Sequence, residues 1–265
     1  MNFKRHIMLR QKLLQQVARK CDEMKFTSEK VNELLGVDEA FKVPNKLMSI
    51  MMNREQREKT FKAFLEVERD TSFDWFHEYF ESEQSERKTK KQDFTPDSVS
   101  DIMTKLVGKA DTYFESAAGT GGIAIRHWWH DLIDNHNPFF YEPSDDYMVL
   151  EEKSERALPF LLFNLSIRGI NAIVIHGDSL SREVNNVYYL LNDKNDFLAF
   201  STVNVMPQNR TTMKEFNVSR YIDEPIDHIE ADVNMWRDNV GNKYDFAAKF
   251  IEKYSKLKGV SHENS

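Results

Sequence analysis

Cysteine is almost missing from this chain. Its one representative, Cys21, excludes an internal disulfide and suits a reducing compartment. A lone cysteine reads more readily as a small buried hydrophobe than as a nucleophile. Also missing is any apolar run of about 18 residues, the length needed to span a bilayer. Residues 1–16, MNFKRHIMLRQKLLQQ, hold no apolar core and no small-residue cleavage site, so no secretory signal is read there. A cytoplasmic protein without a membrane partner is the expectation. Basic charge is short as well: 36 Lys and Arg stand against 43 Asp and Glu, for a net charge of −7. Proteins that grip DNA unaided present a basic surface, because neutralising phosphates supplies much of their affinity. Here the basic groups must be concentrated locally, or a partner must provide the grip.

What is present falls into three stretches. Residues 1–92 read as a helical domain, with apolar residues at helical spacing in Leu9, Leu13, Leu14 and Val17 and again in Phe61, Phe64, Leu65 and Val67. Pro44 is the only proline there. The stretch closes on an aromatic segment (Trp75, Phe76, Tyr79, Phe80) and a basic cluster (Arg87, Lys88, Lys90, Lys91) that fits phosphate contact or a solvated linker equally well. In 93–207 the pattern changes to strands alternating with helices, read in SVSDIMTKLVGK (helix), DTYFESA (strand), GGIAIRHWWHDLIDN (helix), YMVLEE (strand), SERALPFLLFNLSIRG (helix), NAIVIHG (strand) and DFLAFSTV (fourth strand). Such alternation predicts an α/β fold with a parallel sheet whose strand C-termini share one edge. Residues 208–265 read as helical again.

The chain has only nine glycines, and three of them lie in ESAAGTGG, residues 115–122, between a strand and a helix. Glycine lets the backbone adopt unusual angles and approach a ligand closely, and the helix behind it opens on free N–H groups. A strand-to-helix turn that binds nothing is the alternative. Three acids in register favour a ligand site: Glu115 can pair with an ammonium group, Glu152 can accept from both hydroxyls of a ribose, and Asp178 can accept from an adenine amine. The run His127-Trp128-Trp129-His130 could hint at a metal or a stacking platform. Adjacent helical residues diverge, so a core face with two exposed histidines is the preferred reading, and no metal is expected. The Met-rich stretch around Met48 to Met52 reads as core or as a partner contact.

The order QDFTP, AAGTGG, a strand ending in Glu, FNLSIRGI and HGDSL resembles the modification subunit of type I restriction-modification systems, over about residues 75–207. The resemblance implies a Rossmann-like class I S-adenosylmethionine-dependent methyltransferase core, truncated and preceded by an α-helical N-terminal domain. It implies S-adenosylmethionine as cofactor, held by Phe94, Thr95 and Pro96 and by the loop of Ala117, Gly119, Thr120 and Gly121. By the same resemblance Glu115 serves the methionine side, Glu152 the ribose and Asp178 the adenine side. Glu115 stands where the family usually has Asp. The family's catalytic motif, Asn-Pro-Pro-aromatic, activates the amine of a flipped-out adenine. At its place the chain reads Asn204-Val205-Met206-Pro207-Gln208, which retains Asn204 and, one position late, Pro207. Two functions follow from this. One is an adenine-N6 DNA methyltransferase that binds DNA weakly alone and needs a specificity partner. The other is a catalytically impaired cofactor-binding homologue that acts as an interaction or restriction-modulating protein.

Overall fold

In a computed structural model of the chain, the residues described are 25–80, 95, 97–107, 113–134 and 141–231. Helix α1 (Ser28–Leu35) starts at Thr27, whose hydroxyl accepts from the Lys30 N–H, and stops at Gly36, whose left-handed backbone lets the turn close on Asn32 and Glu33. Helix α2 (Val43–Met51) has Pro44 in its first turn, where a missing N–H costs nothing. Helix α3 (Arg54–Val67) is capped by Asn53 on the Gln56 N–H. After them come α4 (Asp97–Val107), β1 (Tyr113–Ser116), α5 (Gly122–Asp134), β2 (Met148–Glu152), α6 (Leu158–Ile167), β3 (Ala172–Gly177), β4 (Glu183–Leu191), β5 (Thr202–Val205), α7 (Arg210–Glu215) and β6 (Arg220–Tyr221).

The strands form one six-stranded sheet in the order β1-β2-β3-β4-β5, with β6 paired to β4. Strands β1 to β3 are parallel, while β4 runs antiparallel to both β3 and β5. The fold is α/β with a mixed, mostly parallel sheet, not the wholly parallel sheet that the alternation predicts. The strand EVNNVYYLL escaped the sequence reading because Asn185 and Asn186 break its apolar pattern and favour strands poorly. It is nevertheless the sheet's longest strand and almost wholly buried. The predicted strand DFLAFSTV, residues 196–203, overlaps the observed one only at Thr202 and Val203, and the observed strand continues to Val205. Beyond Pro207 the expected helices reduce, among the described residues, to α7. Residues 222–231 run without helix, and the basic cluster 87–91, Cys21 and residues 232–265 lie outside the described residues.

Two successive β-α-β units, β1-α5-β2 and β2-α6-β3, have both helices on one face of the sheet, where Trp128 of α5 and Phe160 and Leu161 of α6 share a core with Tyr113, Leu150 and Val174. Every residue of α6 is buried. A helix that is apolar all round must be covered on all sides, and here the sheet covers one side and the N-terminal helices the other. Phe163 of α6 is ringed by Phe61, Phe64 and Phe76 at centroid distances of 4.7, 4.8 and 5.1 Å. The helical N-terminal region and the α/β part therefore share one hydrophobic core. Met51 lies inside it and Met48 and Met52 pack against it, which fits the core reading of the Met-rich stretch. On the opposite face a smaller core gathers Ile173, Ile175, Val187 and Tyr189 under Phe216 and Val218.

Polar groups also join the layers. Asp74, in the loop after α3, accepts from the Thr120 hydroxyl of the glycine turn and from the Asn164 amide of α6, the latter at 2.7 Å. The Asn164 oxygen accepts in turn from Arg168. Arg168 also donates to the carbonyls of Thr71 and Phe73 and lies over the Trp75 ring at 5.2 Å. Burial pushes Asp74 up and brings Arg168 down to about 10, and each charge opposes the other's shift. Removing one member of such a buried set leaves the other uncompensated. Arg168→Met is expected to lower unfolding free energy by about 3–5 kcal/mol. Asp74→Asn combined with Arg168→Met should recover part of that loss. Urea titrations of the three variants check both statements.

Candidate ligand site at the strand edge

The turn between β1 and α5 winds through three left-handed residues, Ala117 (φ 65°), Gly119 (φ 61°) and Gly121 (φ 94°). At Gly121 a Cβ would sit 2.8 Å from Cδ1 of Leu161, a side-chain end that would have to shift, and the φ of 94° is itself one that side-chain-bearing residues rarely adopt. Ala117 has no such excuse. A left-handed alanine costs about 1–2 kcal/mol, and strain of this kind gathers at ligand-binding turns.

Strand alternation sets the carboxylates. Glu115 follows Tyr113 by two residues and Glu152 follows Leu150 by two, so both face the side covered by α5 and α6. Glu152 is buried. One of its oxygens accepts from the Gly119 N–H and the other from the Ser154 N–H, both at 2.6 Å. A carboxylate offers about four lone-pair positions, so acceptor capacity remains. Glu115 accepts from the Tyr113 hydroxyl at 2.9 Å. Its burial, together with the Glu152 charge, pushes it up to about 7 against that hydrogen bond. Asp178, just past β3, accepts from Lys153 Nζ at 2.6 Å and from the N–H groups of Leu180 and Ser181. Those bonds, the Lys153 one first, hold it at about 2.

The sequence-derived residues thus divide. The structure brings Glu115, Ala117, Gly119, Thr120, Gly121, Glu152 and Asp178 to the C-terminal edge of three adjacent parallel strands. Thr120 is turned inward to Asp74 and braces the loop. Thr95 is a half-buried loop residue, and Phe94 and Pro96 lie outside the described residues.

Asn204 is elsewhere. It pairs in register with Tyr189, whose ring belongs to the core on the opposite face, and four interstrand steps separate β5 from β1, about 19 Å. Its side chain is fully buried and engaged at both ends. The amide nitrogen donates to the carbonyl of Tyr189 and to Oγ1 of Thr202, while the oxygen accepts from the N–H groups of Glu230 and Ala231 at 2.9 Å. Residues 228–231 are thereby pinned along β5, where Val205 also donates to the His228 carbonyl. The predicted catalytic acceptor is a structural clamp in this arrangement, and the Pro207 carbonyl accepts from the Thr212 hydroxyl at the start of α7. The same clamp carries a buried ion pair, Arg57 with Glu230. Burial works against Glu230, yet its bonds from His228 and Arg57 bring it down to about 2.

The histidine pair also differs from expectation. His127 is buried and stacks on Tyr113 at 4.4 Å, and only His130 is partly exposed, 3.1 Å from Asp101. Among the described residues no group of three His, Cys, Asp or Glu side chains could hold a metal, and no helix is long and apolar enough to cross a membrane. Sequence reading missed Asp74, Asn164 and Arg168, although Asn164 and Arg168, set in the apolar run LPFLLFNLSIR, were a usable signal. No protein-family model, curated protein or solved structure matches the chain.

Two outcomes follow. Glu115 binds a proton more tightly folded than unfolded, so between its ordinary 4.5 and about 7 the native state holds more protons. Its contribution to stability is then present below pH 4.5 and is lost as pH rises through 7. Thermal melts should show wild type losing more stability from pH 5 to pH 8 than Glu115→Gln. Asn204→Ala strands two N–H groups and a carbonyl, at a cost of about 3 kcal/mol. Amide exchange should accelerate first at Glu230 and Ala231.

Proposed function

We propose that this chain binds S-adenosylmethionine, or its demethylated product, at the edge of β1–β3, as a methyltransferase-like protein that keeps the cofactor site without a transfer site at Asn204. One observation carries the reading: Glu115 and Glu152 end adjacent parallel strands on one face, beside a turn with left-handed residues at 117, 119 and 121. The residues present fit the group. Glu152 has acceptor capacity for a ribose diol, Glu115 can meet the ammonium of the methionine part, and Asp178 closes the edge at the third strand. When bound, S-adenosylmethionine would supply an activated methyl group. A reacting pair must lie about 3–3.5 Å apart, whereas Asn204 is on the far strand and the other face. The chain would then act by engaging a partner, either DNA held by a specificity subunit or another nucleoprotein complex, and the net charge of −7 accords with a partner that supplies the grip on DNA.

The active-enzyme reading, an adenine-N6 DNA methyltransferase needing a specificity partner, is favoured by the order of the motifs and separable by experiment. Calorimetry should show S-adenosylmethionine binding, weakened about tenfold to a hundredfold by Glu152→Gln, and tightening as pH rises through 7 and Glu115 ionises. Absence of heat and of thermal shift at millimolar cofactor would remove the proposal. Tritiated methyl transfer to adenine-rich DNA should stay at background with and without host lysate. Transfer by the wild-type chain clearly above background would restore the enzyme.

A further inference from the structure

The face that presents Glu152 continues across the sheet. Glu152 pairs in register with His176, and His176 with Asn186. All three side chains therefore project to the same side, one interstrand step of about 4.8 Å apart. Each is buried, at 6, 5 and 3 % exposure, in a layer otherwise filled by Leu150, Val174 and Tyr188. Burying polar groups is costly unless they are hydrogen-bonded, and two of the three are accounted for. Glu152 takes its backbone N–H bonds. The Asn186 oxygen accepts from Gln208 Nε2 at 3.2 Å, and Gln208 also donates to the Asn185 carbonyl. His176 is not: its Nε2 is buried with no partner.

The backbone is shaped around this ring. Between His176 and Gly177 the pairing with β4 slips by one residue, with Asn185 the extra one. Bulges of this kind redirect side chains and gather beside binding sites. Gly177 is obligatory there, since a Cβ would lie 2.5 Å from the Glu183 carbonyl oxygen. The neighbouring charges are Glu155 and Asp223, and the backbone of Lys153 also bonds the ring. Burial lowers the imidazole's basicity despite them, so the ring is neutral near pH 7. A neutral imidazole offers one N–H and one lone pair.

We propose that His176, flanked by the Asn186–Gln208 amide pair, is the nucleobase-reading element of the site: its Nε2 lone pair accepts from the exocyclic amine of an adenine whose sugar is held at Glu152. Asp178, already engaged by Lys153, Leu180 and Ser181, does not perform that role. The inference rests on the adenosyl-ligand reading above, and its test separates the two.

The full chain is titrated calorimetrically with adenosine, with inosine (which carries a carbonyl in place of the amine) and with S-adenosylmethionine. Wild type, His176→Phe and His176→Gln are compared, with thermal melts confirming that each variant folds. Wild type should prefer adenosine over inosine at least tenfold, the worth of one hydrogen bond against a repelling lone pair. His176→Phe should abolish that preference and weaken S-adenosylmethionine about tenfold, while His176→Gln retains part of both. In wild type, the His176 Nε2 resonance should move on adding adenosine, a readout that stands even if a variant fails to fold. Unchanged affinities and an unchanged adenosine-to-inosine ratio in folded His176→Phe would overturn the proposal and leave the cofactor reading intact. Should neither variant fold, a His176 Nε2 resonance unmoved by saturating adenosine would overturn it. Adenosine binding lost in His176→Phe, with no S-adenosylmethionine binding by wild type, would keep the base-reading site and sink the cofactor reading. Binding of neither ligand by wild type ends both.

Discussion

Asp74 is the point on which three parts of this structure meet. Its carboxylate takes the Thr120 hydroxyl from the glycine turn and the Asn164 amide from the central helix, and through Asn164 it is coupled to Arg168, which holds the loop carbonyls of Thr71 and Phe73. None of these groups reaches water, so each needs the others. The glycine turn can keep a strained alanine because the residue three positions on is anchored from below. The apolar helix α6 can lie between a sheet and a helical layer because the amide it buries, Asn164, has fixed partners in Asp74, the Thr120 carbonyl and Arg168. Remove the carboxylate and the turn, the central helix and the N-terminal helices lose their common reference.

A second clamp does the same at the other side of the sheet. Arg57 of α3 meets Glu230, and Glu230 and Ala231 hang from the Asn204 amide. The N-terminal helices are thus tied both to the turn beside β1 and to the segment that covers β5. Between these clamps the strand edge is left to Glu115, Glu152 and His176, polar groups that the packing around them does not use up. Rigid surroundings with unspent hydrogen-bonding capacity are what a ligand site requires.

How much of this the sequence disclosed depended on whether the signal was local. The turn at 115–122, the strands YMVLEE and NAIVIHG and helices α4, α5 and α6 were all legible, because glycine clustering and apolar periodicity act over a few residues. Asn185 and Asn186 hid β4, since their place in the sheet is secured by long-range pairing and by a bulge rather than by strand preference. His127 read as exposed because its cover, the ring of Tyr113, comes from a different element.

Asn204 shows the same limit in the functional residues. Its position after a strand and before Met206-Pro207 matched a catalytic pattern, but the chain's chemistry at that place depends on which face the residue takes and on what lies across it. By itself the sequence determined an α/β chain with a glycine-rich strand-to-helix turn and acids at the ends of successive strands, because turn chemistry and hydrophobic period are properties of neighbouring residues. Only the tertiary structure decided that Glu115 and Glu152 share a face, that His176 joins them with a nitrogen to spare, and that Asn204 is consumed as a clamp. Strand order and facing are set by contacts between residues far apart in the chain, and a local pattern cannot carry them.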